Sequence, residues 1–102
     1  MVKLVALYRN PEDKAAFDRH YSETHTPLAK SMPGLQKLEV TRLISTPMGS
    51  EPDYYLMAEM YFVNRAALDT AMMSSEGKAA ARDIGGFAKK LVSMTIGEVM
   101  EI

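Results

Sequence analysis

The 102-residue chain contains no cysteine and no tryptophan. The absence of cysteine excludes disulfides, thiolate nucleophiles and thiolate metal sites. An excess of charge of either sign is also absent, because 12 basic and 13 acidic residues leave a net charge of −1. No basic block could neutralise a row of phosphates, so we expect no nucleic-acid partner.

Long hydrophobic runs are missing as well. The apolar stretch near the N-terminus, within Val2 to Arg9, has only a few residues. A membrane span needs ~20 such residues and the core of a signal peptide roughly 7 to 15. We therefore expect a cytoplasmic protein with no membrane partner, folded as a single domain over residues 1–102.

Methionine, in contrast, is abundant, with nine copies in the chain. Its unbranched thioether fills irregular gaps between other side chains. An adaptable core or pocket wall is expected from five of these residues: Met57, Met60, Met72, Met73 and Met94.

Hydrophobic periodicity predicts the element order β-α-β-β-α-β. Strands are expected at Val2–Arg9, Leu35–Ser45, Tyr54–Val63 and Leu91–Val99. The first helix is predicted to start at Asn10 and Pro11. The second is predicted to follow Asn64 in two pieces, Arg65 to about Met73 and Glu76 to Asp83, which Gly85 and Gly86 end or loosen.

This order is the split βαβ arrangement of a ferredoxin-like α+β sandwich, in which a four-stranded antiparallel sheet carries helices on one face. The first and third strands have apolar residues on both faces. The face without helices is therefore too apolar to remain in water. We expect two such sheets to stack face to face in a homodimer.

The stretch from Phe17 to Leu28, FDRHYSETHTPL, places aromatic and imidazole side chains in the first helix. Phe17, Tyr21 and His25 form one row at intervals of four residues, and a neighbouring row completes the inward stripe with Ala16, His20, Thr24 and Leu28. Pro27 lacks an N–H and disfavours helical geometry in the preceding residue. The helix is therefore expected to break next to His25.

These residues resemble the aromatic-x-x-x-Tyr-x-x-x-His-x-Pro-Leu signature of the EthD-like members of the dimeric α+β barrel superfamily. The matching positions are Phe17, Tyr21, His25, Pro27 and Leu28. The resemblance implies a homodimer whose sheets form a barrel, with a mostly apolar pocket between the sheet and the helices of each subunit. Such proteins include lactone isomerases and polyketide dehydratases or cyclases. Cofactor-free chemistry on small cyclic or aromatic-derived compounds is common among the characterised ones.

His25 is the candidate acid–base group, because imidazole titrates near neutrality and can exchange a proton with a carbon acid or a leaving hydroxyl. The alternative is a structural histidine that ties down the interrupted helix. Tyr21 either donates a hydrogen bond to a carbonyl or positions this imidazole; the alternative is that it is part of the core. Phe17 and Leu28 are expected to line the pocket.

A second set of candidate substrate-binding residues shares one face of the third strand: Tyr55, Met57, Glu59 and Tyr61. Glu59 is unusual among aromatic residues, and it either pairs with Lys37 or Arg42 or has a raised pKa suited to acid–base work.

No metal or cofactor is expected. His20 lies five residues from His25, a poor spacing for joint metal binding on a regular helix.

Together, the residues and the resemblance favour a small cofactor-independent enzyme, an isomerase, cyclase or dehydratase. His25 would move protons on a small hydrophobic ring compound. One alternative is a non-catalytic protein that binds an apolar metabolite. A weaker one is a cofactor-free monooxygenase.

Overall fold

A computed structural model describes all 102 residues of the chain. The elements occur in the predicted order, and a short π-helical segment joins the first two helices. Their bounds are β1 Val2–Tyr8, α1 Lys14–His20, the π segment Tyr21–His25, α2 Thr26–Lys30, β2 Lys37–Arg42, β3 Leu56–Phe62, α3 Arg65–Met73, α4 Ser75–Phe87 and β4 Val92–Glu98.

The four strands form one antiparallel sheet in the order β2-β3-β1-β4. Side chains alternate across each strand, so Leu4, Ala6 and Tyr8 of β1 face the helices and are buried. The partner strand β3 buries Leu56, Ala58, Met60 and Phe62 on that same face. The predicted ferredoxin-like α+β fold, with its helices on one face, is confirmed.

The core between sheet and helices consists of two clusters. One is rich in aromatic residues and includes Tyr8, Phe17 and Tyr21. The other is aliphatic and includes Leu4 and Met32. His25 lies where the clusters meet, because its ring contacts Tyr21 on one side and shares a cavity wall with Leu4 and Met32 on the other.

The opposite face of the sheet carries no helix. Val5 and Leu7 of β1 and Met57 and Tyr61 of β3 are half-buried there. This is the apolar face from which the homodimer was inferred, and the homodimer stays a prediction.

Two helix ends differ from the prediction. The cap of α1 is Asp13, whose carboxylate accepts a hydrogen bond from the Ala16 N–H at 3.0 Å, so the helix begins after Asp13 rather than at Asn10. At the other end of the chain, α4 continues through the two glycines to Phe87. Glycine inside a helix costs about 1 kcal/mol relative to alanine, and the packing of Ile84 and Phe87 on the aromatic cluster opposes that cost.

None of the helices has the length and apolar character that crossing a bilayer requires.

Candidate functional site

The sequence predicted a break in the helix at Pro27. The helix instead continues and widens in the turn before this residue. The backbone N–H and the side-chain hydroxyl of Thr26 both donate to the Tyr21 carbonyl, five residues back. Pro27 has no N–H to donate and its ring crowds the preceding turn of a regular helix. A π-helical turn contains an additional residue, and it lets the chain continue into α2 without a break.

The wider turn brings residues five apart onto one face of the helix. His20 and His25 consequently both reach Asp83 of α4. His20 Nε2 lies 2.8 Å from Asp83 Oδ1, and His25 Nδ1 lies 3.0 Å from Asp83 Oδ2. The five-residue spacing argued only against joint metal binding on a regular helix, and the sequence did not predict that both imidazoles would contact one carboxylate. The three side chains do not form a group able to hold a metal ion.

The three side chains run from the surface to the interior. Their exposed fractions are 36% for His20, 15% for Asp83 and 3% for His25. A neutral imidazole donates from only one nitrogen, and the carboxylate can only accept, so His25 must donate from Nδ1. Its Nε2 is then unprotonated and available as a base.

His25 forms part of the wall of a small cavity of about 50 Å³ under α4. Apart from this imidazole, the lining is apolar, with four methionines: Met32, Met60, Met72 and Met94. Three of these belong to the predicted adaptable set. The other two members lie elsewhere, Met57 on the open face of the sheet and Met73 with 71% of its surface exposed.

The cavity has room for a few water molecules. Pockets for organic ligands usually have a volume of at least ~300 Å³. A ligand would therefore enter only if the methionine side chains moved, and their flexible thioethers allow this more readily than branched side chains would.

The surroundings set the protonation states of the site. Burial lowers the pKa of His25 below 6.5, and the hydrogen bond and charge of Asp83 oppose this shift only in part. The imidazole is consequently neutral at neutral pH. Burial also raises the pKa of Tyr21 to about 12 and that of the neighbouring Tyr8. Both phenols therefore remain protonated.

Phe17, Tyr21 and His25 contact each other as the predicted row. The ring centroids of Phe17 and Tyr21 are 5.9 Å apart, and those of Tyr21 and His25 are 5.2 Å apart. However, the three side chains face different spaces. Phe17 lines an outer groove of about 540 Å³ together with His20 and Phe87. Tyr21 lines another groove beside Arg42, and only His25 reaches the methionine cavity.

The neighbouring helical row is less buried than the sequence predicted. Ala16 and Thr24 are exposed, whereas His20 and Leu28 are half-buried. Leu28 does not line the methionine cavity; Ala29 of the same helix lines it instead.

Most of the predicted strand set lies away from His25. Met57, Glu59 and Tyr61 lie on the face of the sheet without helices. Glu59 accepts a hydrogen bond from the Lys3 ammonium at 2.6 Å, so the predicted pairing with Lys37 or Arg42 was wrong. Lys3 lies on the adjacent strand and on the same face, and a diagonal neighbour of this kind can reach across the ladder.

Tyr55 does not share the sheet face of the other three residues of the predicted strand set. It precedes the first residue of β3, and its ring packs against Phe17 on the helix side, 5.9 Å between centroids. Its hydroxyl donates to the Asp18 carboxylate at 2.9 Å, and Arg42 donates to the same group. Burial and Asp18 both raise the pKa of Tyr55. Strict alternation failed here because the regular strand begins only at Leu56.

Asp83 is the functional candidate that sequence reasoning missed. It lies 58 residues from His25, in a helix whose alanines predicted only close packing. One signal was available: α4 buries Ala80 and Ile84, and Asp83 lies three residues after the first and one before the second, beside the inward stripe. A carboxylate next to a buried stripe requires a partner.

Comparison with known proteins places the chain in a family. The model of the EthD domain matches residues 9–90. An uncharacterized 11.0 kDa protein from the thcB-thcC intergenic region of Rhodococcus erythropolis is 36% identical over 94 residues, which cover 92% of this chain and 90% of that protein.

Solved structures agree with this result. The crystal structure of an ethyl tert-butyl ether D (EthD) family protein from Bacillus halodurans C-125 is 51% identical, with a TM-score of 0.94 over 98% of this chain and 99% of that one. SnoaB, a cofactor-independent oxygenase from Streptomyces nogalater, shares the fold at 13% identity, with a TM-score of 0.69 over 99% of this chain and 94% of its own. The chain belongs to the EthD domain family.

Proposed function

We propose that this protein is a small cofactor-independent enzyme, an isomerase, cyclase or dehydratase, that moves a proton on a small hydrophobic ring compound. The observation that supports it most is the pair formed by half-buried Asp83 and buried His25, whose imidazole lines the methionine cavity. An imidazole that is neutral, oriented and surrounded by apolar side chains is suited to act as a general base.

In the proposed reaction, Nε2 of His25 takes a proton from a carbon next to a carbonyl group. The ring becomes an imidazolium while its Nδ1–H remains bonded to the Asp83 carboxylate, whose charge stabilises it. Returning the proton to another carbon gives an isomerase. Delivering it to a leaving hydroxyl gives a dehydratase. Tyr21 supports the imidazole by ring contact.

The apolar lining favours an uncharged ring compound as the substrate. The four methionines can reshape around rings of different outline. We place the reacting carbon against His25, where a bound substrate would displace water and where no other polar side chain lines the cavity.

The protein is further proposed to act as a homodimer. Its helix-free sheet face presents half-buried apolar side chains on both central strands, including Val5, Leu7 and Met57. Stacking two such faces would remove them from water. Light scattering at micromolar concentration checks this, with a dimer expected and a stable monomer as the contradicting result.

Deuterium exchange tests the catalytic proposal without knowledge of the natural substrate. The probes are α-angelica lactone and a β,γ-unsaturated cyclohexenone in deuterium oxide, followed by NMR. The wild-type protein is expected to accelerate both deuterium incorporation next to the carbonyl and migration of the double bond.

The matched variants are His25→Asn and Thr24→Ala. Asparagine can still donate to Asp83 from the position of Nδ1, but it lacks the basic Nε2. We therefore expect a loss of ~10²–10⁴-fold in rate with the fold retained. Thr24 is exposed on the same turn, and its variant should retain the wild-type rate. Equal rates in His25→Asn and the wild type would contradict the proposed base.

The same experiment separates the alternatives. Saturable chemical-shift changes of the cavity methionines without any product would favour a non-catalytic protein that binds an apolar metabolite. Consumption of oxygen with a quinol-type substrate would favour a cofactor-free monooxygenase.

A further inference from the structure

The Asp83 carboxylate is shared between two imidazoles that face different spaces. One oxygen accepts from His25 at the wall of the methionine cavity, and the other contacts His20, which lines the outer groove. The groove holds about 540 Å³ and is open to solvent. The carboxylate therefore connects a buried group to the surface of the protein.

We infer that His20 is a positioning residue that acts on His25 through Asp83. By holding one carboxylate oxygen, His20 directs the other at the His25 ring and takes up part of the negative charge that would otherwise stabilise an imidazolium there. A donor at one oxygen of a carboxylate makes the other oxygen a weaker acceptor. His20 thus limits the basicity of His25 without contacting the cavity.

The packing of His20 supports a fixed position. Its ring centroid lies 4.3 Å from that of Phe87, which also contacts His25 at 5.5 Å. Phe87 therefore lies against both imidazoles and restrains their separation. This arrangement depends on α4 continuing past its two glycines to Phe87.

Few other titratable groups face this pair. From β1 the Tyr8 phenol lies near Asp83, and from the π segment the Tyr21 ring contacts His25. On the groove side, Glu12, Asp13 and Lys90 line the same space as His20. The two phenols remain protonated near neutral pH, so they do not account for a change in charge at this site.

The test compares two variants of His20 by NMR titration of the His25 imidazole in the full-length protein. His20→Phe preserves the contact with Phe87 but removes the donor, so Asp83 gives its full charge to His25 and the pKa of His25 is expected to rise. His20→Gln keeps a donor near the position of Nε2 and is expected to restore the wild-type pKa.

Two further variants keep the test interpretable if His20→Phe folds poorly. Asp83→Asn removes the carboxylate and should lower the pKa of His25, the opposite shift. Arg19→Gln removes an exposed positive charge next to His20 and should leave the titration unchanged. The inference is overturned if the pKa of His25 is unchanged or lower in His20→Phe, or if His20→Gln behaves like His20→Phe.

The effect of His20 on the pKa of His25 does not depend on the proposed function. Only an effect of His20 on turnover rests on that function, because it requires His25 to be the catalytic base. A shifted titration with no exchange activity in the wild-type protein would refute the proposed function and leave the inference standing. Activity that requires His25, together with an unmoved titration in His20→Phe, would refute the inference alone.

Discussion

Two carboxylates with little exposure occupy opposite faces of the fold and have different partners. On the helix-free face, Glu59 accepts from the ammonium of Lys3. On the helix side, Asp83 accepts from the imidazoles of His20 and His25. Lysine remains charged throughout the physiological range, and Glu59 raises the Lys3 pKa further. Histidine changes charge near neutrality.

The difference shows how to distinguish a structural pair from a reactive one. Both carboxylates satisfy the requirement that a buried charge has a partner. Only Asp83 orients a group that can gain and lose a proton at ordinary pH, and only that group borders a cavity. An unusual carboxylate therefore does not itself mark a site, and the chemistry of its partner decides.

The largest expected effect separates these two carboxylates by activity. Asp83→Asn removes the negative charge and replaces one of the two acceptor oxygens by an amide donor, so the His25 tautomer is no longer fixed and we expect the deuterium-exchange rate to fall ~10²-fold or more. Glu59→Gln, on the opposite face, should leave the rate within about twofold. NMR exchange rates for the two purified variants provide the measurement. A comparable loss in both variants would contradict the assignment of separate roles.

A smaller effect concerns the position of α4, which carries Asp83. A methyl group at Gly77 would lie 2.1 Å from the backbone oxygen of Ala71, which cannot move easily. We expect Gly77→Ala to lower the free energy of unfolding by about 1–3 kcal/mol, measured by urea denaturation. Gly85→Ala is the matched control, because nothing lies within 4 Å of the added carbon and alanine suits a helix better. Equal stability of both variants would contradict the close packing of α3 and α4.

The pH dependence of stability probes the histidine side. Because burial lowers the pKa of His25 from 6.5, the unfolded chain binds a proton more readily than the folded one. The stability contributed by neutral His25 is complete above pH 6.5 and is lost as the pH falls towards the folded-state pKa. Urea denaturation of the wild-type protein should show this loss, and His25→Asn should show a smaller one. An identical pH dependence in the two would contradict the pKa shift.

The smallest expected effect is at Lys3. Its side chain is 28% exposed, so solvent screens part of the ion pair. We expect Lys3→Gln to lower the free energy of unfolding by about 1 kcal/mol or less and to leave the exchange rate unchanged. Parallel urea and exchange measurements check both statements, and a loss of exchange activity would show that the two faces are coupled.

Much of the fold could be predicted because it depends on local patterns. Alternation in β1 and β3 identified central strands with two apolar faces, and the cap at Asn64 gave the start of α3. The order of the elements along the chain then indicated the split βαβ arrangement.

The site was less predictable, because it depends on two features that a local pattern does not contain. The π segment changes which residues share a face of the helix. A pattern based on the 3.6 residues per turn of a regular α-helix therefore places His20 and His25 on different faces. The contact with Asp83 joins residues 58 apart in the chain. His25 could be named from the sequence, whereas the groups that orient it could not.

The pH profile of deuterium exchange shows whether neutral His25 is the base. If neutral His25 is the base, the wild-type rate should fall on the acid side, and its midpoint should coincide with the pKa of His25 measured by NMR in the same protein. A rate that does not follow the His25 titration, or that persists in His25→Asn, would contradict the account.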